Sequence, residues 1–351
     1  MIPVTIVIFI VVTIYVILCH PSFGCGPHGK YLDRLCASPN FRKGKFHNEL
    51  TDPALAKNKK LRIILEFLSR PKNNRHPSAP VPTVKPNLHA LPQYEDVYVW
   101  FGHSSYFLQI DGKRFLVDPV LTNKFPTSLL LRPFKGTDSF TPNDIPNVDY
   151  LIITHDHWDH LDYPTIRALR SRVNLFICGL GIGAHLEYWG IPREAIIEMD
   201  WHESRTLAGG FTIHCLPSHH FSGRRFIPNE TLWASYFLQT PTSRIYMSGD
   251  GGYDSRFKSI SKQFGRIDLA ILENGQYNSN WAQYHLMPHE LKQAIDDLHP
   301  HKVTTVHHSK YALSNHPWHE PLENAFQLSQ TCPMFIPIPG ERVHFKNPVP
   351  A

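Results

Sequence analysis

Short apolar runs rich in β-branched residues recur along this chain, and several stop abruptly at a metal-binding side chain. Leu151-Ile152-Ile153 runs into Thr154-His155-Asp156-His157-Trp158-Asp159-His160. The run 211–216 leads to Pro217-Ser218-His219-His220, 243–247 to Ser248-Gly249-Asp250, and 302–306 to His307-His308. Each pattern predicts a buried strand that ends in a turn carrying chemistry. Further strand-like runs lie at 97–110, 114–117, 150–154, 235–239, 244–247 and 269–272. Helical periodicity marks segments near 163–169, 254–264, 288–298 and 320–328. Strands and helices in this order predict an α/β chain with two sheets covered by helices, an αββα sandwich. No internal repeat is visible.

The first ninety residues follow a different pattern. Residues 1–19 carry no charge and are dominated by Ile, Val, Phe, Tyr and Leu. As a helix this stretch would be roughly 28 Å long, about the hydrocarbon thickness of a bilayer. No basic residue precedes it, so an uncleaved single-pass membrane anchor is favoured over a signal peptide. The side of the membrane stays open: Lys30, Arg34, Arg42, Lys43 and Lys45 follow the span and favour a cytoplasmic body, whereas the signal-like position favours the opposite. Residues 20–92 read as a juxtamembrane extension. Within it, 54–70 sets Lys57, Lys59, Lys60 and Arg62 beside Leu61, Ile64, Leu65, Phe67 and Leu68, a basic amphipathic helix suited to a membrane surface or to packing on the domain. Residues 71–92 are proline-rich and aperiodic, an extended linker or arm. Residues 93–351 form the expected catalytic domain.

Composition adds bounds. An apolar fraction of 42% is ordinary for a globular chain. A net charge of +5, with no long basic tract and no aromatic-basic strip, gives no reason to expect nucleic acid as a partner. Six cysteines show no paired spacing, and Cys178 and Cys215 lie in strand-like runs as buried thiols. The 23 histidines suit a metal site, although His202, His289, His299, His301, His316 and His319 read as surface or capping residues.

The densest chemistry is the HxHxDH turn. Alternate residues point to different sides, so one turn cannot close four donors around one ion. The spacing therefore suggests two adjacent metals, with His155 and His157 on one and Asp159 and His160 on the other. Imidazoles suit zinc, and a carboxylate broadens the choice to iron or manganese. The glycines around Asp250 permit a close turn, so its carboxylate could bridge both ions. Residues 219–220 and 307–308 offer further donors, and spacing alone leaves the choice within each pair open.

These residues resemble the metallo-β-lactamase superfamily, whose signature is HxHxDH. The resemblance runs from about residue 98 to 330. It is narrowest toward the branch of N-acylphosphatidylethanolamine-hydrolysing phospholipase D, through Trp100-Phe101-Gly102-His103-Ser104-Ser105, Leu116-Val117-Asp118-Pro119, Ser248-Gly249-Asp250-Gly251-Gly252-Tyr253, Phe264-Gly265-Arg266-Ile267-Asp268-Leu269-Ala270, Tyr284-His285 and Val306-His307-His308-Ser309-Lys310-Tyr311-Ala312-Leu313. The resemblance implies a metallo-β-lactamase sandwich with two divalent ions, zinc first and iron or manganese next. It implies His155, His157 and His220 at site one, Asp159, His160 and His307 at site two, and Asp250 bridging. Asp118 and His103 would support these donors from behind, and His285 would assist a leaving oxygen. Asp156 and Trp158 fill variable positions and receive no role. The implied substrate is a membrane phospholipid, with a small soluble lactone or phosphodiester, or a metal-binding regulatory role, as alternatives. The segment 278–280 lacks the acidic, proline and basic residues of the phospholipases. Oligomeric state is open, a homodimer included.

Overall fold

The computed structural model describes residues 19–50, 74–124, 126–225 and 227–346, with Ile6, Ile8, Val12, Tyr15 and Val16 before them. Most of the expected anchor and the whole basic helix at 54–70 lie outside the described residues. Among the described residues no helix is long and apolar enough to cross a membrane.

Helix α1 (Lys30–Ala37) and the hairpin β1 (Phe41–Arg42) and β2 (Lys45–Phe46) precede the sandwich. Among the described residues the first sheet has seven strands and the second six. Those of the first are β3 (Val97–Trp100), β4 (Tyr106–Ile110), β5 (Lys113–Val117), β6 (Val148–Ile153), β7 (Val173–Gly179), β8 (Ile196–Met199) and β15 (Arg342–Val343), in the order β15-β3-β4-β5-β6-β7-β8. Those of the second are β9 (Ser204–Leu207), β10 (Phe211–Leu216), β11 (Ser235–Gln239), β12 (Arg244–Met247), β13 (Leu269–Glu273) and β14 (Val303–Val306), in the order β14-β13-β12-β11-β10-β9. The four strands β5 through β8 run parallel in the first sheet, and the three strands β12 through β14 in the second.

Burial explains the continuous apolar runs. Ile152 faces the inter-sheet core with Ile213, Tyr236 and Ile271. Its neighbours Leu151 and Ile153 face outward, where α2 (Tyr163–Leu169) and α3 (Ile182–Tyr188) cover them with Ile166, Leu169, Ile182 and Leu186. On the other side α4 (Arg256–Phe264) and α5 (Pro288–Leu298) bury Phe257, Ile260, Leu291 and Ile295 against Phe237, Tyr246 and Leu272. A strand covered on both faces has no polar side to show, so it reads as a block rather than an alternation. Helix α6 (Glu320–Ser329) completes the outer layer.

The structure refines several expected elements. The run 97–110 is two antiparallel strands, split by a turn through Gly102, whose φ is +85°. Helix α4 starts at Arg256 rather than 254, because Asp254 Oδ1 accepts the Arg256 amide at 2.8 Å and holds a turn there. Strands β1, β2, β7, β8, β9 and β15 and helices α1 and α3 were not among the expected elements. The pieces read as extension and linker are seated on the domain. Tyr31, Leu35 and Phe46 are buried, and Val81 and Val84 donate backbone hydrogen bonds to Lys135 and Pro339.

All chemistry-bearing turns sit at one end of the sandwich. β3, β5 and β6 run the same way, as do β10, β12, β13 and β14, and His103, Asp118, the HxHxDH turn, His220, Asp250 and His307 follow their C-terminal ends. This is the edge where ligands gather in open α/β sheets.

Candidate metal centre

The seven donors proposed from the sequence converge at this edge. His155, His157 and His220 form one group, and His155, His160 and Asp250 a second. Asp159, His160 and His307 form a third with His103, and within every group the nearest donor atoms lie within 4.8 Å of one another. Six of the seven are buried, and His157 is half-buried. His155 Nε2 lies 2.8 Å from His157 Nδ1, which lies 3.3 Å from His220 Nε2. Asp250 Oδ2 stands 3.8, 3.2 and 3.7 Å from ring nitrogens of His155, His160 and His220, while Oδ1 is 2.9 Å from His307 Nδ1. The Asp250 carboxylate thus touches both halves of the cluster.

The pairs left open by spacing separate here. His220 turns inward, its Nδ1 3.0 Å from Tyr284 O, whereas His219 lies toward Asp254. His308 bonds Thr305 and Ser309 and packs 4.7 Å from Trp100, away from the cluster.

The electrostatics divide the cluster in two. Burial, reinforced by neighbouring imidazoles, pushes His155 and His220 well below the ordinary histidine range, and burial lowers His157. These rings are neutral and offer lone pairs, as metal ligands must. Burial opposes charge on His160 too, but Asp250, Asp159 and Asp118 outweigh it and raise its pKa well above normal. Burial likewise opposes charge on Asp159 and Asp250, yet the histidines hold both carboxylates well below their usual range. That field favours a cation between them.

A metal fits the donor set. His160 Nε2 is buried with no hydrogen-bond partner, although it faces two carboxylates. The 2.8 and 3.3 Å separations among three imidazole nitrogens approach the ~3.3 Å edge of a tetrahedron with ~2.05 Å Zn–N bonds.

Asp118 and His103 stand behind the cluster. Asp118 accepts from Thr154 N and Thr154 Oγ1 and bonds His160 Nδ1 at 2.8 Å. His103 Nε2 donates to Asp159 Oδ2 at 2.8 Å, while burial and His307 lower its pKa to about 3 and keep it neutral. His103, Asp118, Gln276 and His307 adopt φ of +53°, +42°, +57° and +73°. Left-handed backbone at these four non-glycine residues costs roughly 1–3 kcal/mol each.

The model of the family described as a beta-lactamase superfamily domain matches residues 113–308, more than half of the chain. The chain belongs to the beta-lactamase superfamily. An uncharacterized protein of Mycobacterium bovis is 36% identical over 323 residues, covering 89% of this chain and 86% of that protein. N-acyl-phosphatidylethanolamine-hydrolyzing phospholipase D 1 of Caenorhabditis elegans is 28% identical over 61% of this chain and 64% of its own length. Among solved structures, the metallo hydrolase Igni18 of Ignicoccus hospitalis superposes with a TM-score of 0.53 at 20% identity, covering 71% of this chain and 98% of its own, a likeness of fold. Within the superfamily, this buried His/Asp cluster suits metal-dependent hydrolysis.

Several supports in this superfamily chain escaped the sequence. Asp156, a variable motif position, accepts the Gly223 amide at 2.9 Å and faces His185 at 3.5 Å. Burial raises its pKa, but His185, His157 and Arg224 bring it down to about 2. Arg224 is buried over the Trp158 ring and donates to Asp156 O, Leu161 O and Ser22 O. Asn48 grips the His220 backbone at both N and O, at 3.2 and 2.9 Å. These contacts join residues distant in sequence, and composition carries no signal for them.

Proposed function

We propose that this protein is a phosphodiesterase of phospholipase D type acting on N-acylphosphatidylethanolamine-like membrane lipids. The observation that carries the reading is the cavity of about 290 Å³ on the metal donors. Its lining combines His157, His220, Asp250 and His307 with Phe221, Trp281, Tyr284 and Leu313. An apolar wall beside a metal-donor cluster suits a substrate with a charged diester and an acyl body. The likeness to the worm phospholipase, over 61% of the chain, supports the same class.

His155, His157 and His220 would hold one divalent ion, Asp159, His160 and His307 a second, and Asp250 both. Two ions held there would supply an activated water and would offset charge on the reacting oxygens. The protein positions the donors: Asp118 orients His160, His103 orients Asp159, and Asn48 fixes the turn that carries His220. Phe221, Trp281 and Tyr284 exclude water from one face of the diester. His285, buried between His220 and His307, stands where it can give a proton to the departing oxygen.

A membrane location is part of the proposal. The residues just after the apolar N-terminal stretch pack beside the motif turn. Trp189 Nε1 donates to Pro21 O at 2.8 Å, and the Phe23 ring packs edge-on at 5.0 Å from Trp158. An anchor leading into that contact would hold the cavity near the bilayer.

A small soluble ester is the second reading, favoured by the modest cavity and by the uncharged Asn278-Ser279-Asn280. Mixed micelles of N-acylphosphatidylethanolamine incubated with zinc-loaded protein should give phosphatidic acid and N-acylethanolamine by mass spectrometry. No lipid product, with turnover of a lactone or soluble phosphodiester, transfers the assignment to the second reading.

A further inference from the structure

We infer that Glu273 is a positioning residue that fixes the tautomer and aim of His285. Glu273 closes β13 and is fully buried. Its Oε1 accepts two backbone amides, Gly251 at 2.8 Å and Leu286 at 3.1 Å. Its Oε2 faces His285 Nδ1 at 2.8 Å. One carboxylate therefore ties together the residue after Asp250, the residue after His285 and the His285 ring. Oε1 is committed to the two backbone amides, and toward an ionised carboxylate Oε2 accepts, so His285 Nδ1 carries the proton. The free nitrogen, Nε2, is left for the cavity that His285 lines. Donor atoms of His285, His220 and Asp250 lie within 4.8 Å of one another.

This arrangement rests on the hydrolase reading and gives it a direction. In hydrolysis the P–O bond to the leaving alcohol breaks, and its electron pair goes to that oxygen. The proton on Nε2 of the imidazolium follows, leaving a neutral ring with its Nδ1–H still on Glu273. The water consumed supplies the oxygen that bonds to phosphorus and the proton that restores the ring. Replacing the carboxylate by an amide turns an acceptor into a donor, and the ring must then carry its proton on Nε2 in the neutral state. A buried carboxylate that orients a catalytic imidazole acts in this way in hydrolytic triads.

The test compares zinc-loaded wild type with Glu273→Gln and His285→Ala. Two soluble phosphodiesters share one phosphoryl part and differ in the leaving group, p-nitrophenol against a simple alcohol. Loss of a general acid removes about 10²–10⁴-fold in rate where the leaving group needs a proton. Both variants should lose that factor in kcat on the alkyl diester and far less on the nitrophenyl diester, with KM and zinc content unchanged. Histidine-selective ¹⁵N spectra, with His285 assigned from its own variant, should place the proton on Nδ1 in wild type and on Nε2 in Glu273→Gln. Equal losses on both diesters, loss of zinc, or an unchanged tautomer overturns the inference. If wild type cleaves neither diester, the lipid and lactone assays decide the hydrolase reading, and the tautomer measurement alone decides the role of Glu273.

Discussion

Asp118→Asn separates the two halves of the proposed centre. In the wild type Asp118 Oδ1 accepts the Thr154 amide at 2.8 Å, and Oδ2 takes both the Thr154 hydroxyl at 2.6 Å and His160 Nδ1 at 2.8 Å. An asparagine that keeps its oxygen on the Thr154 amide presents its NH₂ to His160. The ring must then show a lone pair at Nδ1 and move its proton to Nε2, the atom that faces Asp159 and Asp250. A flipped asparagine instead sets NH₂ against the Thr154 amide and orphans a buried donor, at a cost of about 1–3 kcal/mol. Partners behind a metal ligand are worth 10–100-fold in affinity, or about 1.4–2.7 kcal/mol. Zinc titration against a chromophoric chelator should therefore weaken one binding constant by that factor and leave the other unchanged. Circular dichroism should stay as in wild type. Two unchanged constants, or two constants weakened alike, would refute the assignment of Asp118 to His160 and site two.

The converse holds for Asn48→Ala: removing its hold on the His220 backbone should weaken the other constant and destabilise the fold by about 1–3 kcal/mol in urea titrations. Asp250→Asn and His157→Ala should each abolish hydrolysis while far-UV circular dichroism is retained, since the hydrophobic clusters are untouched; activity surviving in either contradicts the ligand set. Glu198→Gln reports on pH. Burial raises the Glu198 carboxyl from an ordinary 4.5 to about 7, against the Gly183 and Gly181 amides and Arg193 that lower it, and Oε2 has no hydrogen bond, with the Arg193 guanidinium 4.0 Å away. The folded state then binds the proton more tightly than the unfolded chain, so stability falls as pH rises from about 4.5 to 7, by roughly 3 kcal/mol. The variant lacks that loss and should gain on wild type between pH 5 and 8; parallel pH dependences of urea midpoints would show that Glu198 does not titrate there.

The donor turns were legible because each follows a strand with no polar face, so both the strand and its abrupt end stand out. Leu151-Ile152-Ile153 into His155 is the clearest case. Strands β7 and β8 were less visible: Leu175-Phe176-Ile177 is a short apolar block that periodicity cannot tell from a buried helix. Helix α3 is only seven residues long and begins at Gly181 in a left-handed turn, with no polar side-chain cap to mark it. At the centre, spacing gave the donor turns, and the resemblance chose His220 and His307 and pointed to Asp118 and His103 behind them, but not to the more distant supports. Asp156 looked variable because its neighbours in sequence do not explain it; its partners are His185 and Gly223. Asn48 and Glu273 act through backbone amides brought together only by the fold. The proline-rich arm lacks a hydrophobic period, yet Val81 is buried and its amide is paired with Lys135, because single side chains anchor it rather than a repeating face.

The central claim is a two-ion centre held by His155, His157, Asp159, His160, His220, Asp250 and His307. Elemental analysis of protein purified without chelator and reconstituted with zinc or iron tests it most directly. The account predicts two ions per chain, falling to about one when His157 and His220 are both replaced by alanine. Less than about half an ion per chain in the wild type, with the fold intact by circular dichroism, would contradict it.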